Sequence, residues 1–107
     1  MDSMLLKVNS FVDGTKQVFK LNGILDYSTV DTFDFFNKTK EFATELEVDF
    51  SELDFIDSTG IGAILSILHS ASSLNAKVSF VGMSEDTKNL FETIGVFEIK
   101  KSLLGEG

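Results

Sequence analysis

The residues of this 107-residue chain with chemical potential gather at Asp57-Ser58-Thr59-Gly60-Ile61-Gly62. Ser58 and Thr59 carry hydroxyls at the start of a predicted helix. Unpaired backbone N–H groups and the positive end of the helix dipole favour an acceptor or an anion there. Two readings follow. Asp57 or Ser58 is an ordinary cap that accepts a backbone N–H bond. Alternatively Ser58 accepts a phosphoryl group, stabilised by the helix terminus and opposed by Asp57 beside it. Thr59 is the second choice of acceptor.

Other chemistries fit these residues poorly. Gly60 and Gly62 lack the Gly-Lys-Ser/Thr ending of a phosphate-cradling loop, and the third glycine position of a dinucleotide pattern holds Leu65. Ser58 and His69 stand eleven residues apart, about 16 Å along a straight helix, too far to share a hydrogen bond as a hydrolytic pair. Asp49, Glu52, Asp54 and Asp57 are close in sequence without calcium-loop spacing. There is one His and no Cys. A thiol nucleophile, a disulfide framework, a Cys-ligated metal and a His-rich metal site are therefore excluded. No catalytic residue, metal or cofactor is assigned.

Around this segment the chain punctuates itself into elements. Leu5–Val12 reads as a strand, Asp13-Gly14 as a hairpin turn, and Lys16–Asn22 as the second strand, with Gly23 opening a loop. Ser28 is a predicted N-cap, with Asp31 three residues on as a capping-box variant. A helix is predicted over about Thr29–Phe42, with Val30, Phe33, Phe36, Thr39 or Lys40 and Ala43 on one face. Leu46, Val48 and Phe50 alternate as a strand. The helix opened by Asp57-Ser58 runs to about Leu74, with Asn75 as its left-handed terminator. Lys77–Val81 is a strand. Ser84 caps a helix that ends near Ile94 at Gly95. Phe97–Ile99 is predicted as a last short strand. The order β-β-α-β-α-β-α-β implies one α/β domain over residues 1–107. Its mixed, mostly parallel sheet has about five strands with three to four helices, a core at about 5–99 and a short tail at 100–107. A chain of this length can remove about two-thirds of its surface from water on folding.

The net charge of −8 excludes several partners. All nine cations are Lys. A nucleic-acid module needs a basic face, so no nucleic acid is expected, and anionic membrane surfaces are disfavoured likewise. Met1-Asp2-Ser3-Met4 has no basic stretch leading into an apolar one, and no run of 18 apolar residues occurs. A cytoplasmic location is expected. Residues 58–76 contain no Asp, Glu, Lys or Arg. Ile61, Ile64, Leu65 and Leu68 fall on one face with Ala71 and Ser72. Ser58, Gly62, Ser66, His69 and Ser73 fall opposite. A solvated face would carry Lys and Glu. A small, polar, uncharged face reads either as a partner surface or as a helix packed on both sides.

The run Asp49-Phe50-Ser51-Glu52-Leu53-Asp54-Phe55-Ile56-Asp57-Ser58-Thr59-Gly60-Ile61-Gly62 resembles the signature of STAS domains of the bacterial anti-sigma factor antagonist type. Gly23-Ile24-Leu25-Asp26 resembles a second element of that family. Lys88-Asn89-Leu90-Phe91 through Gly95-Val96-Phe97-Glu98-Ile99 resembles its third helix and final strand. The resemblance spans about Leu5 to Ile99 in order. It implies a protein that is not an enzyme. Its unphosphorylated form binds an anti-sigma factor that is itself a serine kinase, and a sigma factor is released. Phosphorylation at Ser58 switches binding off, and a metal-dependent serine phosphatase restores it. The resemblance places Asp26, Asp57, Ser58, Thr59 and Gly60 in the partner-binding set, which the uncharged face extends with Gly62, Ser66 and His69. The tail is too short for the family's fourth helix beyond about one turn at Ser102-Leu103-Leu104. The alternatives are a STAS-type scaffold subunit of a signalling or transport assembly, and a small-ligand or nucleotide-binding domain using the Gly60/Gly62 loop.

Overall fold

The structure is a computed structural model that describes residues 5–105, except for the Phe36 side chain. The expectations for Met1–Met4, for the last two tail residues and for the face occupied by Phe36 lie outside the described residues. Strands β1 (Leu6–Asp13) and β2 (Lys16–Leu25) form the expected hairpin, turning at Gly14 with φ 66°. The chain then passes a 3-10 turn, Val30–Thr32, and a four-residue helix α1, Phe35–Lys38. Strand β3 (Glu45–Ile56), helix α2 (Ser58–Leu74), strand β4 (Lys77–Val81) and helices α3 (Glu85–Ile94) and α4 (Val96–Leu104) follow. The sheet order is β1-β2-β3-β4, with β1 antiparallel to β2 and the other pairs parallel.

The residues of β3 explain the layering. Glu45, Glu47 and Asp49 alternate with Leu46, Val48 and Phe50, and only the apolar set is buried. A strand covered on both faces would read as a continuous apolar run. The helices accordingly collect on one side. Phe19 meets Phe33 and Phe35 there, and Phe50, Phe80, Phe91 and Phe97 form a second group of edge-on and tilted rings. The opposite face is polar, with Lys16 bridged to Glu47 at 3.1 Å and Ser79 donating to Glu45 at 3.0 Å. Gln17 points into the core side and is fully buried. Its amide is satisfied by donating to Ser10 Oγ and the Lys38 carbonyl and by accepting from Lys40 N–H.

Five expectations are corrected. The helix over Thr29–Phe42 is instead the 3-10 turn and the short α1. Local side chains compete for its backbone. Thr32 Oγ1 donates to Thr29 O, Thr39 Oγ1 to Phe35 O, and the Asp34 carboxylate accepts from Asn37 N–H. Ser28 caps nothing, because its N–H and hydroxyl both donate to Asp26 Oδ1. The strand expected at Phe97–Ile99 lies inside α4, so the described sheet has four strands, not five. Val96, Ile99, Leu103 and Leu104 recur at helical spacing and pack on the core. The tail therefore contributes to a nine-residue helix, more than the single turn expected. Finally, β2 continues through Gly23, whose φ of 101° lets the backbone approach Leu5.

Candidate functional site

The segment around Ser58 is set by the ends of two neighbouring parallel strands. Register shifts bend β3 twice before Leu25 pairs with Ile56, turning Ile56 inward and leaving Phe55 exposed. Asp57 is the cap of α2. Its backbone is extended, with φ −114°, and its carboxylate accepts from Gly60 N–H at 2.9 Å. That assigns the cap to Asp57 and leaves Ser58 as the first helical residue. Ser58 is exposed, and among the described residues its hydroxyl has no hydrogen-bond partner. Thr59 is exposed as well. The chain has thus fixed a serine hydroxyl in solvent beside a carboxylate already held by the backbone.

Gly60 behaves differently from its neighbours. It is buried, and a Cβ there would collide with the Leu25 carbonyl and meet Ile56 Cγ1 at 3.0 Å. The same carbonyl accepts from Asp57 N–H at 3.3 Å. Gly60 therefore lets α2 start directly against the end of β2, and presents no surface to a partner. Gly62 is open, with nothing within 4 Å of a Cβ. His69 is exposed, and Ser66 is half-buried with its hydroxyl donating to Ala63 O at 2.6 Å. Ser58, Gly62, Ser66 and His69 line one side of α2, about 16 Å from end to end. Ile61, Ile64, Ile67 and Leu68 on the other side are buried.

Asp26 follows directly on Leu25. Its carboxylate accepts from the Ser28 hydroxyl at 2.6 Å and from Ser28 N–H at 2.9 Å. Its backbone carbonyl accepts from Thr29 and Val30, and its N–H donates to Thr29 Oγ1. The Ser28 hydroxyl, against a smaller opposing effect of burial and helped by the backbone N–H groups, holds the Asp26 carboxyl below the usual aspartate range. Tyr27 beside it is 77% exposed. Asp26 and Asp57 are thus brought to adjoining strand ends, tied through one carbonyl.

Sequence reasoning missed the other wall of this site. The Val30–Phe35 stretch faces α2 across a groove of about 450 Å³, lined by Asp31, Asp34, Thr59, Gly62 and Ser66 among others. The Asp26-Tyr27-Ser28 spacing is the one available signal, since Asp two residues before a backbone N–H marks an Asx turn. Among the described residues no group of His, Asp and Glu is disposed to hold a metal ion. No helix among them is long and apolar enough to cross a membrane.

Comparison with known proteins agrees with this architecture. An anti-sigma factor antagonist STAS domain from Rhodobacter sphaeroides is 24% identical, covering 76% of this chain and 94% of its own, with a TM-score of 0.61. The Bacillus cell fate determinant SpoIIAA in its phosphorylated form is 22% identical over 87% of this chain and 86% of its own, with a TM-score of 0.64. A sulfate transporter family protein from Wolinella succinogenes is 18% identical over 90% and 76%, with a TM-score of 0.69. At these identities the likeness is one of fold. No protein of curated function matches the sequence. The STAS domain family matches residues 8–103, most of the length, and the chain belongs to that family.

Proposed function

We propose that this chain is an anti-sigma factor antagonist switched by phosphorylation at Ser58. The reading is supported above all by the serine itself. It is exposed, unbonded among the described residues, and freed from capping by Asp57. The kinase's ATP supplies the phosphoryl group. The Ser58 oxygen attacks the γ-phosphorus, ADP leaves, and the hydroxyl proton passes to a base of the kinase. Phosphoserine then adds about −1.5 to −2 charges beside Asp57, on an already acidic chain. The helix terminus accommodates that charge. A partner docked on the uncharged stripe loses affinity through repulsion and desolvation, with no refolding. In this reading Asp26, Asp57, Thr59, Gly62, Ser66 and His69 contribute to the docking surface, and Gly60 shapes it from inside. The protein is a substrate and not an enzyme, acting in the cytoplasm between a serine kinase that is also an anti-sigma factor and a serine phosphatase.

The fold is shared with a transporter family protein, so the test must address the switch. The full chain and two variants are incubated with candidate serine kinases from the same genome. Ser58→Ala is expected to bind the kinase without being phosphorylated. Ser58→Asp is expected to fold normally and fail to bind. Stoichiometric phosphorylation of Ser58→Ala within this segment would move the site to Thr59. Binding unchanged in both variants would remove the switch and favour a scaffold subunit.

A further inference from the structure

The outer edge of β1 carries a pattern that neither the family nor the Ser58 segment accounts for. β1 is an edge strand of eight residues, paired to β2 with no register shift and containing no proline. Natural edges are commonly blunted by bulges, prolines or a central charge. Here Val8-Asn9-Ser10-Phe11-Val12 runs uncharged between Lys7 and Asp13. Phe11 is 51% and Val12 42% exposed.

The hydrogen-bond phase says which backbone groups are available. Ile24 N–H donates to Leu5 O at 2.7 Å, and Lys7, Asn9, Phe11 and Asp13 follow in phase against Asn22, Lys20, Val18 and Lys16. These residues bond to β2. Leu6, Val8, Ser10 and Val12 direct their N–H and C=O groups to the free edge. An antiparallel partner must therefore pair with these alternate positions, which limits the registers to steps of two.

We propose that β1 pairs antiparallel with β1 of a second copy of this chain, about a two-fold axis through Ser10, making one sheet continuous across the dimer. In that register Val8 opposes Val12 of the second copy and Ser10 opposes its equivalent, joined by about six backbone hydrogen bonds. Lys7 falls opposite Asp13 and Asn9 opposite Phe11, in the non-hydrogen-bonded positions where side chains lie closest. The two-fold repeats each pair. A shift of two residues in one direction sets Lys7 against Phe11, and in the other sets Asp13 against Asn9. Only the axis at Ser10 brings opposite charges together. The second copy is thus selected by charge complementarity as well as by the open edge. The interface requires nothing of the Ser58 reading and survives its failure.

The test is the association state of the full chain by sedimentation velocity over a concentration series. The unaltered chain is expected to show a concentration-dependent dimer. Lys7→Asp and Asp13→Lys each set like charges opposite in both symmetric pairs and are expected to weaken association at least about tenfold. The double variant Lys7→Asp/Asp13→Lys restores opposite charges and is expected to recover dimerisation. Residues 7 and 13 lie about 20 Å apart along one strand, so recovery cannot come from a contact within one chain. Val12→Pro removes an outward N–H without touching the β2 ladder and is expected to be folded by circular dichroism and monomeric by sedimentation. A chain monomeric at every concentration overturns the proposal. So does a dimer that persists in Val12→Pro, or a double variant as weak as the singles.

Discussion

Two glycines two residues apart on α2 should respond to the same substitution with opposite signs. A methyl at Gly60 has nowhere to go: it would strike the Leu25 carbonyl and press on Ile56 Cγ1 at 3.0 Å. Both are held by the β2–β3 ladder, where Leu25 pairs with Ile56. Overpacking of this kind costs about 1–3 kcal/mol. Pushing α2 away also lengthens the 3.3 Å bond from Asp57 N–H to Leu25 O, costing about 0.5–1.5 kcal/mol. The better helix propensity of alanine returns at most about 1 kcal/mol. Gly60→Ala should therefore lose about 2 kcal/mol, and the melting temperature should fall by roughly 8–16 °C for a domain near this size. At Gly62 a Cβ meets nothing within 4 Å. Gly62→Ala should keep the propensity gain and raise the melting temperature by up to about 4–8 °C. Urea denaturation of both variants, with unchanged m-values, makes the comparison clean. If both shift in the same direction by the same amount, the close approach of α2 to β2 is wrong.

The cap assignment makes a second contrast. Asp57→Ala should cost about 1 kcal/mol by removing the acceptor for Gly60 N–H. Ser58→Ala should stay within about 0.5 kcal/mol of the unaltered chain, as for an exposed position without a bond, and equal losses by chemical denaturation would reassign the cap. Asp26 supplies a pH prediction. Its carboxyl is held below the usual aspartate range by Ser28, so its stabilising contribution is present above that range and is lost as pH falls through its depressed folded value. Ser28→Ala should move the Asp26 titration, followed by carboxyl carbon NMR, upward toward the ordinary value. An unmoved midpoint would mean that the hydroxyl does not hold the carboxylate.

The parts of the fold that could be read from the chain are those with strong local punctuation. Asp57 and Ser58 open α2, Asn75 closes it in the left-handed region at φ 57°, and Ser84 and Gly95 bracket α3. At these positions local chemistry and tertiary packing ask for the same backbone. The Thr29–Phe42 stretch sets them against each other. Its apolar residues have helical spacing, but its Thr and Asp side chains bond to nearby backbone groups and break the run. At the other end, Phe97–Ile99 is too short for periodicity to separate a strand from a helix, and its partner residues Leu103 and Leu104 decide for the helix. For the site, the exposed hydroxyl and the stripe on α2 were legible because their residue types differ from both core and solvated surface. The groove wall at Val30–Phe35 was not, because it depends on the helix that fails to form. The inward role of Gly60 was available in the helical spacing, which sets it on the face of Ile64, Ile67 and Ala71 and opposite Gly62, although the close approach to Leu25 was not.

The chain has no tryptophan and a single tyrosine, and that tyrosine, Tyr27, projects 77% exposed from the loop beside Asp26. Its aromatic packing is carried by phenylalanines in two groups under the sheet. The optical signals of the protein are therefore divided by location. Near-ultraviolet circular dichroism from the phenylalanine groups reports on core packing, while tyrosine absorbance and emission report on the loop end alone. Light at the red edge of the indole band, beyond tyrosine absorption, passes this chain unabsorbed, so any tryptophan fluorescence change on mixing under that excitation belongs to whatever has bound. Packing, loop environment and partner can be followed separately in one cuvette, with no label attached.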